Sequence, residues 1–170
     1  MDNQTMLNEV QELLSEEECD LISPVTLDKI RKFEETHSVS LPEEYVSFLL
    51  NIAAGGEIRS LGAIIPFNEL VFDTSRLTKP FPHTEGWNWL LDGYDIDTID
   101  KSSGSKYDTI SDGTLTLFDV GCGESWFLVV TGKCRGEMWQ KCEFGIQPTD
   151  KRWGFLEWLS CYLKNIPFWG

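Results

Sequence analysis

The sequence lacks long apolar runs, clustered histidines and regularly spaced cysteines. No stretch approaches the roughly 20 apolar residues of a membrane-spanning helix, so we expect no membrane span. The chain has 170 residues but only 2 histidines, and its 5 cysteines show no paired C-x-x-C spacing, so neither a zinc site nor a disulfide framework is predicted. No basic segment followed by an apolar core lies near Met1, which predicts no secretory leader. We therefore expect a cytoplasmic protein with reduced thiols and no cofactor.

Basic residues are also scarce. The 14 Lys and Arg stand against 28 Asp and Glu, and the formal net charge is -14 at pH 7. Such a chain repels the phosphate backbone, so nucleic-acid binding is disfavoured. A basic protein partner would be attracted, and its association would be faster. Alternatively, the negative charge serves only to keep the protein soluble.

The order of hydrophobic patterns predicts the fold class. Apolar residues at helical spacing predict helices over about 5–14, 26–36 and 41–53 and a last one over about 153–164, while 15–20 reads as a polar connection. Alternation and glycine turns predict strands near 61–67, 114–118, 125–131 and 137–142. Helices followed by hairpins are typical of an α+β fold in which helices pack on one face of an antiparallel sheet.

We expect one domain over residues 1–170. Its N-terminal helices fall in about 5–53, its sheet in about 61–146 with an irregular insertion at 78–112, and its C-terminal helix in about 153–164. The stripes and alternations predict a single core that contains Phe48, Leu49, Leu117, Phe127, Val129 and Leu159.

Two blocks carry the most local information. In LPEEYVSFLL, which starts at Leu41, the proline suits a first helical turn and the two glutamates complement the helix dipole. Gly55 and Gly56 follow and are predicted to end that helix in a left-handed conformation. The second block, DVGCGESWFLVV, starts at Asp119 and reads as a glycine turn followed by an aromatic strand, with Trp139 further on.

In this order the two blocks resemble the SUKH superfamily, the Smi/Knr-type domains, over about residues 26–163. The chain has Ala53, Ala54 and the glycine pair where the family commonly has an asparagine-glycine helix end. The resemblance implies an α+β domain. Bacterial members are immunity proteins that bind and neutralise a cognate toxin, often a nuclease, and fungal Smi/Knr-type members are cell-wall regulators.

Catalytic motifs are weak. Cys122 lies between two glycines, but a nucleophile elbow needs a serine at a strand-to-helix turn, and here a hairpin with a small buried cysteine is expected. The four aspartates of residues 92–100 do not match a calcium loop, because Asp100 and Lys106 occupy the positions of its glycine and glutamate. Paired carboxylates could also serve a hydrolase. No catalytic residue, cofactor or metal ligand is predicted.

The strongest candidate is a protein-binding surface, because an aromatic beside exposed carboxylates is typical of an interface hot spot. Alternatives are a solvated acidic loop without a partner, and burial of the tryptophan under that loop. The predicted partner-binding residues are Glu57, Trp89, Asp92, Tyr94, Asp95, Asp97 and Asp100.

The resemblance implies an immunity protein, not an enzyme, that neutralises a cognate toxin by direct binding. The partner is expected to be a basic protein toxin, with a nuclease as one candidate, and neither nucleic acid nor membrane. The alternative is an intracellular regulatory scaffold of Smi/Knr type. A hydrolase that uses the Asp-rich segment comes third.

Overall fold

The computed structural model describes residues 2–59, 62–70, 72–91 and 107–170. The helices in these residues are α1 (Asn3–Glu16), α2 (Leu27–His37), α3 (Glu43–Asn51), α4 (Thr74–Leu77) and α5 (Phe155–Leu163). The strands are β1 (Cys19–Leu21), β2 (Gly56–Ile58), β3 (Gly62–Ile64), β4 (Trp87–Asn88), β5 (Thr114–Gly121), β6 (Glu124–Val129), β7 (Met138–Cys142) and β8 (Gly145–Pro148). Short 3₁₀ turns span Phe67–Glu69 and Asp108–Ser111.

Local sequence explains the helix ends. The Asp2 carboxylate accepts a hydrogen bond from the Thr5 amide and caps α1. Helix α2 ends where Ser38 turns left-handed, with φ of 54°. Pro42 caps α3, and Glu43 and Glu44 occupy its first turn as predicted.

The described strands form one sheet in the order β1-β2-β3-β5-β6-β7-β8-β4, and every neighbouring pair is antiparallel. This confirms the predicted α+β class. The meander β5–β6–β7 follows the chain, because short turns join adjacent antiparallel strands. The long connections bring β1 and β2 to one end of the sheet and β4 to the other.

The sheet begins earlier than predicted. The segment expected to be a polar connection contains β1, and the glycine pair expected to end α3 leads into β2 instead. A Cβ on Gly56 would lie 2.4 Å from the carbonyl oxygen of Asp20, so β1 can approach β2 because this position has no side chain. The glycine therefore serves strand pairing rather than helix capping.

The prediction of one core is wrong, because the sheet buries apolar side chains on both faces. Phe48, Leu49, Leu117 and Leu159 lie in the larger core under the helices. Phe127 and Val129 lie in a second cluster on the opposite face, because successive side chains of a strand point to opposite sides. Strand β6 has no polar alternation for this reason.

The second cluster lies under the irregular segment between α4 and β5. Its buried residues are Phe81, Trp87, Trp89, Ile110, Phe127, Val129, Cys134, Trp139 and Ile146. The rings of Phe81 and Trp139 meet edge to face with centroids 5.0 Å apart. The described parts of the segment predicted as irregular, residues 78–91 and 107–112, thus pack against the sheet face that the helices leave uncovered.

Candidate protein-binding surface

Strand β4 is attached to the edge of the sheet by a close backbone approach. Trp87 pairs with Ile146, and Asn88 pairs with Gly145. A Cβ on Gly145 would lie 2.1 Å from the Trp87 carbonyl oxygen, so a larger residue would displace the strand. Gly145 therefore fixes the position of the chain that leads to Trp89.

Trp89 is buried beneath this edge of the sheet and stabilises it. Its side chain is only 1% exposed, and its indole Nε1 donates a hydrogen bond to the Glu143 carbonyl at 2.8 Å. Its backbone amide donates to the Phe144 carbonyl at 2.9 Å. Its ring also meets the rings of Trp87 and Tyr107 edge to face, with centroids 5.6 and 5.2 Å away. The predicted site residue Trp89 is thus buried in the second cluster, beneath the surface rather than on it.

The residues after Trp89 form an exposed apolar patch. Leu91 is 84% exposed and Leu90 48%, and Phe144, whose carbonyl binds the Trp89 amide, is 47% exposed. The side-chain oxygen of Asn88 accepts hydrogen bonds from the amides of Leu90 and Leu91 at 3.1 and 3.2 Å. This local turn holds the two leucines at the surface. We call Leu90, Leu91 and Phe144 the β4-edge patch.

Arg152 ties the segment before β4 to the sheet. Its guanidinium donates to the Glu137 carboxylate at 3.1 Å and to the Thr84 carbonyl, and it lies 3.3 Å from the Glu85 carboxylate. It also lies over the Trp139 ring, 5.5 Å from the centroid. Planar guanidinium groups suit such shared contacts. Arg152 therefore restrains the chain that leads into β4.

A partly buried ion pair holds the other end of the irregular segment. Arg76 Nε donates to the Asp112 carboxylate at 2.8 Å, and another guanidinium nitrogen donates to the Asp108 carbonyl. Nearby, His83 is buried, with its ring stacked on Trp87 and its Nε2 3.1 Å from Thr109 Oγ1. The scaffold around the β4-edge patch is thus fixed by polar contacts as well as by aromatic packing.

The predicted site residue Glu57 lies elsewhere. It is exposed on β2, where it pairs with Asp20, next to the exposed ion pair between Glu18 and Arg59. Six strand spacings separate β2 from β4 in the sheet order, roughly 30 Å at about 4.8 Å per spacing. The structure therefore does not bring Glu57 and Trp89 into one compact site.

The other predicted site residues, Asp92, Tyr94, Asp95, Asp97 and Asp100, lie outside the described residues. The described chain stops at Leu91 and resumes at Tyr107, whose ring contacts Trp89. Leu91 and Tyr107 are the described residues that flank the acidic sequence.

Within the described ranges, no group of three or more His, Cys, Asp or Glu side chains could hold a metal ion. In the same ranges, no helix is long and apolar enough to cross a membrane. All five cysteines are free thiols. Burial raises the pKa of the Cys134 thiol, which disfavours the thiolate form. Cys122 is exposed at the tip of the β5–β6 hairpin, so the hairpin is confirmed and the expected burial is wrong.

Comparison with known proteins gives the family. Residues 24–156 match the SMI1 / KNR4 family (SUKH-1), which covers most of the chain. The chain belongs to this family. No curated protein and no solved structure matches it.

The sequence reasoning missed the three residues of the β4-edge patch. Leucine and phenylalanine beside a buried tryptophan are ordinarily assigned to a core. Asn88, just before Trp89, was the signal in the sequence that could have predicted their exposure. An asparagine side chain commonly accepts hydrogen bonds from the following backbone amides, which starts a turn and ends a strand.

Proposed function

We propose that this protein binds and neutralises a cognate protein toxin by direct contact, without catalysis, and that it acts in the cytoplasm. Membership of the SUKH-1 family supports an immunity-type or Smi/Knr-type role. The observation that carries the proposal is the exposure of the β4-edge patch, and of Leu91 above all, at 84%. An exposed apolar patch of this kind marks an interaction surface.

The patch and its surroundings have the composition of an interface centre and its rim. Leu90, Leu91 and Phe144 supply apolar area, while Glu85 and Glu143 are exposed and carry negative charge. In the sequence, four aspartates follow within residues 92–100. We propose that the apolar residues hold the toxin and that the carboxylates accelerate the approach of a basic surface.

Trp89 has a positioning role in this proposal. Because it is buried and bonded to the Glu143 carbonyl, it fixes the leucines without contacting the partner. Glu57 lies at the far end of the sheet and takes no part in the same contact. We therefore propose Leu90, Leu91 and Phe144 as partner-binding residues, and we keep the sequence-based proposal of Asp92, Tyr94, Asp95, Asp97 and Asp100.

The experiment compares two exposed apolar sites. The partner to test is the product of any toxin gene that adjoins the gene of this protein, and the assays are growth protection and surface plasmon resonance. Leu91→Asp should raise the dissociation rate and weaken binding by about tenfold or more, because a charge replaces apolar contact area. Ile166→Asp is the matched control, since Ile166 is 42% exposed and lies after α5. Equal binding by both variants would show that the β4 edge is not the interface.

A second variant tests the acidic rim separately. Replacing Asp92, Asp95, Asp97 and Asp100 by asparagine should slow association at low salt and flatten its salt dependence, with little change in dissociation. If association and its salt dependence are both unchanged, these carboxylates do not steer the partner. Absence of any toxin binding by the unmodified protein would refute the immunity function itself.

A further inference from the structure

A separate groove lies between α2 and the chain that follows β3. It has a volume of about 710 Å³, and its apolar surface comes from Phe33, Phe67, Leu70 and Phe72. The Phe33 ring lies 5.1 Å from that of Phe67 and 5.5 Å from that of Phe72, centroid to centroid. Phe33 and Phe72 remain partly exposed while Phe67 is buried. The groove is thus a preformed aromatic cleft that is open to solvent.

The rim of this groove is positively charged in an acidic protein. Lys29 and Lys32 line it, and no carboxylate does so among the residues that the structure places there. Both lysines are exposed, and neither forms an ion pair with a carboxylate of the described chain. Three of the four basic residues in the first 60 positions are Lys29, Arg31 and Lys32. Two of these, Lys29 and Lys32, line the cleft, and Arg31 does not.

Helical spacing explains how α2 supplies both the lysines and part of the aromatic surface of the groove. Lys29, Phe33 and Thr36 lie at positions i, i+4 and i+7 of α2, and Lys32 precedes Phe33 on the same side. His37 completes the row, with its ring 4.8 Å from that of Phe72 and its Nδ1 3.5 Å from Thr74 Oγ1. Ile30 lies next to this row on the helix and anchors α2 in the larger core.

We propose that this groove is a docking site for an acidic peptide segment that carries an apolar anchor residue. The aromatic cleft accepts the anchor, and the two unpaired lysines receive the flanking carboxylates. This site differs from the β4-edge patch in its elements and in its charge, so it binds a different partner surface from the one that recognises a basic toxin. The proposal does not depend on toxin neutralisation.

The test uses short labelled peptides in which Glu and Asp flank a central Leu, Phe, Trp or Met. At low salt, at least one should bind with a Kd of about 1 mM or tighter, and its NMR shift changes should map to α2 and residues 67–74. Peptides with Lys in place of the acids, or Ser in place of the anchor, should bind at least about tenfold more weakly. A single-stranded DNA of matched charge should not compete, because it offers no apolar anchor for the cleft.

Charge reversal provides the matched comparison. Lys29→Glu with Lys32→Glu should weaken peptide binding by about tenfold or more. Lys133→Glu with Lys151→Glu makes the same change in net charge at exposed positions away from the groove and should leave binding unchanged. The proposal is overturned if no peptide binds at millimolar concentration, if both double variants behave alike, if the shifts map elsewhere, or if DNA competes. Self-association of the unmodified protein that the groove variant abolishes would assign the groove to a second copy and overturn it as well.

Discussion

Trp89→Phe is the most informative single change, because it removes one polar contact and part of one buried ring from the support of the β4 edge. The indole Nε1 bond to the Glu143 carbonyl is lost, and the ring is 1% exposed. A lost hydrogen bond costs about 1 kcal/mol. The smaller ring leaves space in a packed cluster and adds about 1–2 kcal/mol. We expect the free energy of unfolding to fall by about 2–3 kcal/mol.

The control is Trp169→Phe. Trp169 Nε1 donates to the Pro148 carbonyl at 3.0 Å, which is the same type of bond, but the residue is only partly buried near the C-terminus. Its replacement should cost about 1 kcal/mol or less, because solvent takes over the freed carbonyl. Urea unfolding measures both variants. A loss in Trp89→Phe no larger than in Trp169→Phe would refute the role of Trp89 as a support.

The same pair of variants tests the link between support and function. If Trp89 positions Leu90 and Leu91, its replacement should weaken toxin binding in protein that is still folded, and the Trp169 variant should bind normally. Tight binding by a folded but destabilised Trp89→Phe protein would show that the leucines hold their positions without it.

Three further predictions concern substitutions of buried or partly buried residues, and a fourth concerns the redox state of the cysteines. Tyr45→Phe should stabilise the protein by about 1 kcal/mol in thermal unfolding, because the buried hydroxyl of Tyr45 has no hydrogen-bond partner in the described chain; a destabilised variant would contradict this. Burial raises the pKa of the Glu44 carboxyl group above its ordinary value; the hydrogen bond from the Leu156 amide opposes this shift, and the neighbouring Glu157 and Glu43 add to it. The folded state therefore keeps this proton to a higher pH than the unfolded state, and the carboxyl group reduces the free energy of unfolding as the pH rises above the ordinary glutamate range. Glu44→Gln should therefore gain stability relative to the unmodified protein as the pH rises from acid through the ordinary glutamate range, and a difference that stays constant with pH would exclude the effect. Gly145→Ala should cost about 2 kcal/mol or more in urea unfolding, because its Cβ would meet a backbone oxygen at 2.1 Å, and a neutral result would mean that β4 moves freely. Mass spectrometry of protein purified without reductant should find all five cysteines as thiols, and any defined intramolecular bridge would contradict the prediction.

The sequence by itself determined the elements that depend on local spacing. The stripes predicted α1, α2, α3 and α5 to within a few residues, and the glycine turns predicted the β5–β6–β7 meander. Strands β1, β2, β4 and β8 were not predicted, since each is two to four residues long and is a strand only because it pairs with another segment. A short strand has no periodic signal of its own.

Tertiary structure decided how the side chains of those elements are used. Glu44 was predicted to complement the dipole of its own helix, yet its carboxylate also accepts a hydrogen bond from the Leu156 amide at 2.9 Å, at the start of α5. Phe127 and Leu128 are adjacent apolar residues of β6, but they enter different cores because the sheet is covered on both faces. The sequence of a strand does not show whether a distant segment of the chain packs on its second face.

The same limit applies to the candidate site. Trp89 and Leu91 are apolar residues two positions apart, and both are compatible with burial from the sequence alone. The structure buries Trp89 because the Glu143 carbonyl and the Tyr107 ring lie within its reach, and it exposes Leu91 because the Asn88 side chain turns the chain outward. Composition and order determined that this protein is an acidic α+β domain. Contacts between distant segments decided which apolar residues remain at its surface.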